Sequence, residues 1–218
     1  MEELLRAQWR AAVPAAADDI SVAVSALDDA ITDLLARYRE PHRRYHTVTH
    51  LAAVLTTAEG LLAQVAVDDP AAVRLALFFH DAVYDPRSTT NEVDSADLSR
   101  RVLSALGVAR AACDVVAALV IATARHEPPV GIDPGTASVV LDADLAILAA
   151  EPAAYSAYVT GVRAEYSHID DAGWRAGRAA VLAELLRRSE IYRSPPMRER
   201  EARARANLTA ELATLRSA

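Results

Sequence analysis

The sequence predicts an all-α protein, and three observations lead to that prediction. Hydrophobic residues make up 52% of the 218 residues and aromatic residues only 5%, so the core must be built mainly from Ala, Val and Leu. Only seven glycines occur, which is few for a turn-rich β fold. Nearly every long segment repeats apolar residues at helical spacing, and none alternates as a strand does. We therefore expect a single-domain helical bundle, residues 1–218, of about eight to ten helices.

The individual helices are predicted from apolar stripes and end signals. Two stripes predict the first helices, Leu27, Ile31, Leu34 and Tyr38 in one and Leu51, Val54, Ala58, Leu61 and Val65 in the other. An aspartate N-cap before Pro70 begins a helix that we expect to reach about Tyr84. Gly107 predicts the end of the next helix, and another should run from about Arg110 to Arg125. We expect the functional core at about 40–150, with the helices of 151–218 packing on it.

Composition excludes several classes of function. The formal net charge of −7 argues against a protein that binds nucleic-acid polymers. The N-terminus lacks a signal-peptide pattern, and no apolar run approaches the roughly 20 residues of a membrane span. The lone Cys113 cannot form an internal disulfide and is expected to be a small buried hydrophobe. These features predict a soluble, cytoplasmic protein with a small-molecule partner, and a homodimer through an alanine-rich surface stays open.

Polar residues inside apolar helical sequence mark the candidate site. Two of the six histidines, His46 and His50, lie four residues apart in YHTVTH, and on a helix they would face one cavity. His80 and Asp81 follow the apolar run LALFF, and adjacent positions can converge on one point only near a helix end or from the edge of the helix. Burying such groups is costly without partners. A divalent cation ligated by imidazole and carboxylate would offset that cost.

A fourth ligand is offered by VVLDADLAIL, which contains Asp142 and Asp144. The two are about 200° apart on a helix, so only one should face the site. Mixed nitrogen and oxygen ligands suit manganese, iron, cobalt, nickel or zinc, and magnesium less well. The number of ions is left open.

The order His50, His80-Asp81 and Asp144 resembles the H…HD…D pattern of the HD superfamily of metal-dependent phosphohydrolases. ADL at 143–145 is similar to the sequence around the last ligand of that superfamily, which favours Asp144. YHTVTH resembles a segment of cyclic-nucleotide phosphodiesterases, which implies that His46 donates a proton and His50 binds metal. Further stretches such as FFHDAVYDP and LDADLAIL are similar to a bacterial subgroup of predicted HD-type phosphohydrolases. The resemblance implies an HD-type helical fold but supplies no substrate.

Two acidic residues near the motifs have alternative interpretations. Glu92 fits a capping box with Thr89, while the resemblance places it beside the site, where it would act on a water or on a ligand. Asp85 lies one turn after Asp81, so it could orient that ligand. It could instead be a turn residue before Pro86.

Basic residues near the motifs are candidate substrate ligands. His126 could be stabilised by the helix C-terminus that it follows, or it could bind phosphate or a second metal, as an extra histidine does in some HD enzymes. Arg44 and Arg125 could bind phosphate through their guanidinium groups, although surface ion pairs are the usual role of an arginine.

Together these observations predict an enzyme that hydrolyses a phosphomonoester or phosphodiester of a small, nucleotide-like substrate through a metal-activated water. His46 would protonate the departing oxygen, and an arginine would offset the developing charge. One alternative is a catalytically silent HD-fold sensor that binds a nucleotide without turning it over. Another is a helical interaction protein whose histidines are incidental. The prediction depends on His50, His80, Asp81 and Asp144 meeting around one cation.

Overall fold

The described part of the chain is built from helices. A computed structural model describes residues 1–17 and 23–217. Within these ranges the α-helices are α1 (Glu2–Ala16), α2 (Val24–Arg37), α3 (Val48–Leu62), α4 (Pro70–Phe79), α5 (Asn91–Ala105), α6 (Arg110–Ala122), α7 (Pro134–Asp144), α8 (Pro152–Glu165), α9 (Asp171–Arg187), α10 (Pro195–Arg198) and α11 (Glu201–Ser217). A 3-10 helix, Leu145–Ala149, follows α7 directly. The all-α prediction is confirmed. The expected number of helices was too low, because α10 is a single turn that carries no apolar stripe.

Helix α4 occupies the centre of the core. Eight of its ten residues are buried, and it packs against α1, α3, α6 and α7. The Trp9 ring of α1 packs edge-on against Phe78 and Phe79, with ring centroids 5.3 and 5.9 Å apart. Because α4 is buried along most of its length, the residues that follow its last turn lie in the interior. These residues are His80 and Asp81.

Several helix ends match their sequence signals. The carboxylate of Asp69 caps α4 by accepting a hydrogen bond from Ala72 N at 2.8 Å, and Pro70 is the first helical residue. Gly107 follows the last turn of α5 with a φ of 78°, which glycine adopts without steric cost. Cys113 is buried in α6. These three predictions are confirmed.

Helix α4 ends at Phe79, so the prediction that it reaches about Tyr84 was wrong. The chain leaves the helix because other groups satisfy the backbone beyond it. The guanidinium of Arg43 donates to the carbonyls of Asp81 and Ala82 at 2.8 and 3.3 Å. The Ser95 hydroxyl accepts from Val83 N at 3.0 Å and donates to Val83 O at 3.2 Å. The apolar pattern could not indicate contacts made by residues so far along the chain.

The C-terminal helices lie against the motif-bearing part of the chain. Helix α11 packs on α9 and on the 3-10 helix, burying Ala204, Leu208 and Leu212. In α8, Gly161 approaches Tyr45 so closely that an added Cβ would lie 3.1 Å from the Tyr45 Cβ. Across the described residues, no helix combines the length and the hydropathy needed to cross a membrane.

Candidate metal centre and adjoining cavity

Three side chains from three helices meet at one point. His50 lies in the first turn of α3, His80 follows the last residue of α4, and Asp144 ends α7. One ligand atom from each lies within 4.8 Å of the others, a cluster that could hold a metal ion. The two Nε2 atoms are 3.1 Å apart, and Asp144 Oδ1 lies 3.7 and 3.5 Å from those of His50 and His80.

Asp81 reaches the same point. Its Oδ2 lies 3.3 Å from His50 Nε2 and 3.0 Å from His80 Nε2, nearer to both than Asp144 is. Adjacent residues can converge in this way because α4 ends at Phe79 and the chain turns at His80, so Asp81 does not continue the helix. The structure therefore brings together all four side chains that the sequence singled out as metal ligands.

The hydrogen bonds of His80 define which ring nitrogen faces the cluster. Its Nδ1 lies 2.7 Å from Leu77 O. Because a carbonyl only accepts, Nδ1 must carry the hydrogen, which leaves the lone pair of Nε2 directed at the cluster in the neutral ring. Metal-binding histidines generally make this second hydrogen bond to a carbonyl or carboxylate.

The electrostatics of the cluster favour a positive charge. Burial lowers the pKa of His80, but the negative charges of Asp81 and Asp144 outweigh burial and raise it to about 9. Burial also lowers the pKa of His50, and there it prevails. Burial raises the pKa of Asp81, yet the neighbouring imidazoles hold it well below its ordinary value. The two carboxylates thus create a negative potential at the point where the imidazole nitrogens meet.

The two aspartates of the DAD segment have different roles. Asp142 is 1% exposed, and its carboxylate accepts hydrogen bonds from Arg193 N at 2.9 Å, Ser194 N at 2.7 Å and Ser194 Oγ at 2.6 Å. It therefore anchors the segment before α10, whereas Asp144 lies in the cluster. The helical spacing of the pair predicted this division, and the structure assigns each member.

His46 lies beside the cluster but not on the same helix as His50. Helix α3 begins at Val48 and is capped by Thr47, so the expectation of two histidines one helical turn apart was wrong. The two rings still contact each other, with centroids 5.5 Å apart. His46 Nδ1 lies 2.7 Å from Glu165 Oε2, which leaves Nε2 as the ring nitrogen available to a ligand.

Glu165, the last residue of α8, holds the segment that carries His46. Its Oε1 accepts the backbone N–H groups of residues 44–46 at 2.7, 2.8 and 3.0 Å. Its Oε2 also accepts the Tyr84 hydroxyl at 2.9 Å. Burial raises the pKa of Glu165, but the contacts with His46 and with these N–H groups prevail and lower it to about 2. Sequence analysis missed this residue, because a single glutamate in the last turn of a helix gives no signal.

His126 contacts the cluster from the turn after α6. Helix α6 ends at Ala122 rather than at the predicted Arg125. His126 has a φ of 51°, in the left-handed region that non-glycine residues seldom adopt, and its Nε2 lies 2.9 Å from Asp144 Oδ2. This unusual backbone is what turns the imidazole toward Asp144, whose other oxygen faces His50 and His80.

A cavity of about 700 Å³ opens over this group, and Glu92 lines it together with His46, Asp81 and Asp144. The capping-box interpretation of Glu92 was wrong. The N-cap of α5 is Thr90, one residue later than expected, and its hydroxyl donates to Asp94 at 2.8 Å. Glu92 is therefore not used to cap the helix, and its carboxylate belongs to the cavity wall.

Three predicted residues lie away from this cavity. Asp85 is exposed, and its Oδ1 accepts from Arg87 N at 2.9 Å, which is the contact of the turn interpretation. Arg44 donates to two carbonyls of its own loop and lines a second cavity of about 590 Å³ that also reaches His50 and Asp144. Arg125 is exposed and is not among the described residues that line either cavity.

Aromatic side chains form much of the cavity wall, and sequence analysis had not selected them. They are Tyr84, Tyr158, Tyr166 and Trp174. Arg178, also in the wall, is bound by both oxygens of Glu211. Four of these five residues come from α8 and α9 or the turn between them, so the C-terminal helices complete the cavity.

No protein-family model matches the chain, and neither the curated proteins nor the solved structures compared with it yield a match.

Proposed function

We propose that the protein is a metal-dependent phosphohydrolase of the HD type, acting on a phosphomonoester or phosphodiester of a small, nucleotide-like substrate. One observation carries this proposal: His50, His80, Asp81 and Asp144 converge, and Asp81 and Asp144 also line a cavity large enough for a small ligand. An ionisable histidine, His46, lies beside them. Ligands for a cation and a proton donor are thus available to one bound molecule.

The donor set suits a divalent cation. Two imidazole nitrogens and two carboxylates are ordinary ligands for manganese, iron, cobalt, nickel or zinc, and the hydrogen bond from His80 Nδ1 to Leu77 directs Nε2 toward the ion. When bound, such an ion polarises phosphoryl oxygens and makes water a stronger nucleophile at neutral pH. We assign His50, His80, Asp81 and Asp144 as the residues that hold it.

His46 is the proposed general acid. Its Nδ1 hydrogen is held by Glu165, so a second hydrogen on Nε2 is the one that the ring can give to a departing oxygen. Burial lowers the pKa of His46, but the charges of Asp81 and Glu165 outweigh burial and raise it. The raised pKa favours the protonated ring, which is the form that a general acid requires.

Two further residues of the cavity are assigned supporting roles in the proposal. The carboxylate of Glu92 lines the wall with Asp81 and is available to orient an attacking water. His126, hydrogen-bonded to Asp144, is placed to contact a phosphoryl oxygen at the same wall. Both side chains line the cavity and can exchange a proton with a molecule bound there.

The test is to purify the protein without a histidine tag, together with His80→Ala, Asp81→Ala and, as a surface control, Asp97→Ala. Bound metal is measured by elemental analysis, and phosphate release is screened across nucleotides, cyclic nucleotides and sugar phosphates with each metal in turn. We expect the first two variants to lose metal and turnover while Asp97→Ala keeps both. Equal metal content and equal rates in all four proteins would contradict the proposal. A nucleotide that raises the melting temperature of the wild type without being hydrolysed would indicate a sensor instead.

A further inference from the structure

The wall of the 700 Å³ cavity carries more negative than positive charge. Asp81, Asp144 and Glu92 line it, and among the described lining residues Arg178 is the single arginine in a chain that has no lysine. A bound divalent cation would balance two of these carboxylates, and one phosphoryl group would then contact both His46 and His126. The remaining wall offers an unneutralised carboxylate, Glu92, rather than a cation.

Arg178 is already engaged. Its guanidinium donates to the two oxygens of Glu211 at 2.8 and 3.1 Å and to the Tyr158 hydroxyl at 3.0 Å, and its side chain is only 8% exposed. A bidentate pair of this kind is costly to break once it is buried. A second or third phosphate group of a ligand would therefore lie in this cavity without a cationic partner and near Glu92.

Part of the cavity wall is aromatic. The rings of Tyr166 and Trp174 lie 5.8 Å apart at 42°, and the guanidinium of Arg163 lies 5.4 Å from the Trp174 ring centroid. Arg163 is itself held by Asp171 at 2.7 Å and by the carbonyl of Tyr166 at 2.9 Å. Because the guanidinium of Arg163 already contacts the indole ring, a positively charged ligand group is disfavoured there. An uncharged aromatic ring is not disfavoured.

A glycine leaves room beside the indole. Gly177 lies three residues after Trp174, on the same face of α9, and both line the cavity. A Cβ added at Gly177 would meet no atom within 4 Å. The space at Gly177, about one helical turn from Trp174, is therefore open, and Val181 and Ile169 line the same cavity.

From these contacts we infer that the site takes a ligand with a single phosphoryl group joined to an uncharged aromatic ring, and that the ring lies against Trp174 in the space beside Gly177. The inference rests on the proposed function for the position of the phosphoryl group. Polyphosphates and ligands with a cationic group, such as phosphorylcholine, are expected to bind less well.

Non-hydrolysable probes test the inference separately from turnover. Isothermal titration calorimetry of the metal-loaded protein would compare phenylphosphonate with methylphosphonate, which lacks the ring. We expect phenylphosphonate to bind about tenfold more tightly or better, the ratio typical of stacking one ring on an aromatic side chain. Trp174→Ala should remove most of this preference. Phosphorylcholine should bind more weakly than phenylphosphonate, and inorganic tripolyphosphate no more tightly than phosphate, with metal in excess.

Gly177→Leu with Gly60→Leu as its control makes the test sharper. Both glycines are exposed, lie within helices and have open space at the Cβ, and leucine is the better helix former, so neither variant should lose stability. Gly60 lies outside the cavity. We expect Gly177→Leu alone to lose the preference for phenylphosphonate, with bound metal unchanged.

Equal affinities for the two phosphonates, or a preference unchanged in Gly177→Leu, would overturn the inference, as would tighter binding of phosphorylcholine or tripolyphosphate. A ring preference that Gly177→Leu removes, in a protein that hydrolyses no phosphoester, would support the ligand class while contradicting the proposed function. The two failures are therefore distinguishable.

Discussion

The motif-bearing core and the C-terminal helices contribute different kinds of groups to the same site. Between residues 46 and 144 the chain supplies the imidazoles and carboxylates that converge beside the cavity. Helices α8 and α9 supply Glu165, which holds the loop that carries His46, and Trp174 and Arg178, which form the wall. One part of a helical bundle can therefore supply the reactive groups, while another part orients them and forms the wall of the cavity.

The largest expected effect concerns the ligands. Asp144→Asn keeps the shape of the side chain but replaces a charged oxygen by a weaker neutral ligand. We expect metal affinity to fall more than about 100-fold, because even changes to groups that only support ligands cost 10–100-fold. Metal titration by calorimetry measures it, and an unchanged affinity would remove Asp144 from the centre.

The next effect tests the orienting role of the C-terminal helices. Glu165→Gln removes the negative charge that orients His46 and favours its protonated form. We therefore expect kcat to fall about 100-fold with metal content unchanged. The loss should be much smaller for 4-nitrophenyl phosphate, whose leaving group needs no proton. Tyr84→Phe, which removes a different donor to the same carboxylate, should cost far less. A loss that does not depend on the leaving group would argue against a general acid at His46.

Glu165 should also make stability depend on pH. Its pKa is lowered from an ordinary 4.5 to about 2, so its ionised form stabilises the fold above pH 4.5, and that stabilisation is lost as the pH falls toward 2. The difference corresponds to about 3 kcal/mol. Urea unfolding of the wild type and Glu165→Gln at pH 7, 4 and 3 should show a gap that narrows as the pH falls. A constant gap would mean that the charge is not responsible.

Asp142→Asn addresses the contact between the two regions. Its carboxylate accepts three hydrogen bonds from residues 193–194, and the neutral amide cannot accept them all. We expect the free energy of unfolding to fall by about 1–3 kcal/mol while metal affinity stays unchanged. Asp144→Asn is expected to show the opposite pattern, with lower metal affinity and little change in the free energy of unfolding. The two variants together therefore distinguish a structural aspartate from a ligating one.

The smallest effect is expected for Arg125→Ala. The residue is exposed and lies outside both cavities, so kcat/KM should change less than about twofold. Steady-state kinetics would check this. A tenfold rise in KM would show that the side chain reaches the substrate after all, as the sequence-based prediction holds.

The sequence by itself determined the helical class and singled out the polar side chains that meet in the cluster. Apolar periodicity and the spacing of Asp142 and Asp144 are local properties, and two histidines and two aspartates inside aliphatic sequence are conspicuous because burying them alone is costly. Only the tertiary structure decided that α4 stops at Phe79, because Arg43 and Ser95 satisfy the backbone beyond it. It alone selected Glu165 and Trp174, since their positions depend on how α8 and α9 pack. A candidate metal ligand can be recognised in the sequence, because burying its polar side chain without a partner costs free energy. An orienting residue can be recognised only once the residues that contact it, which are distant in the chain, are known.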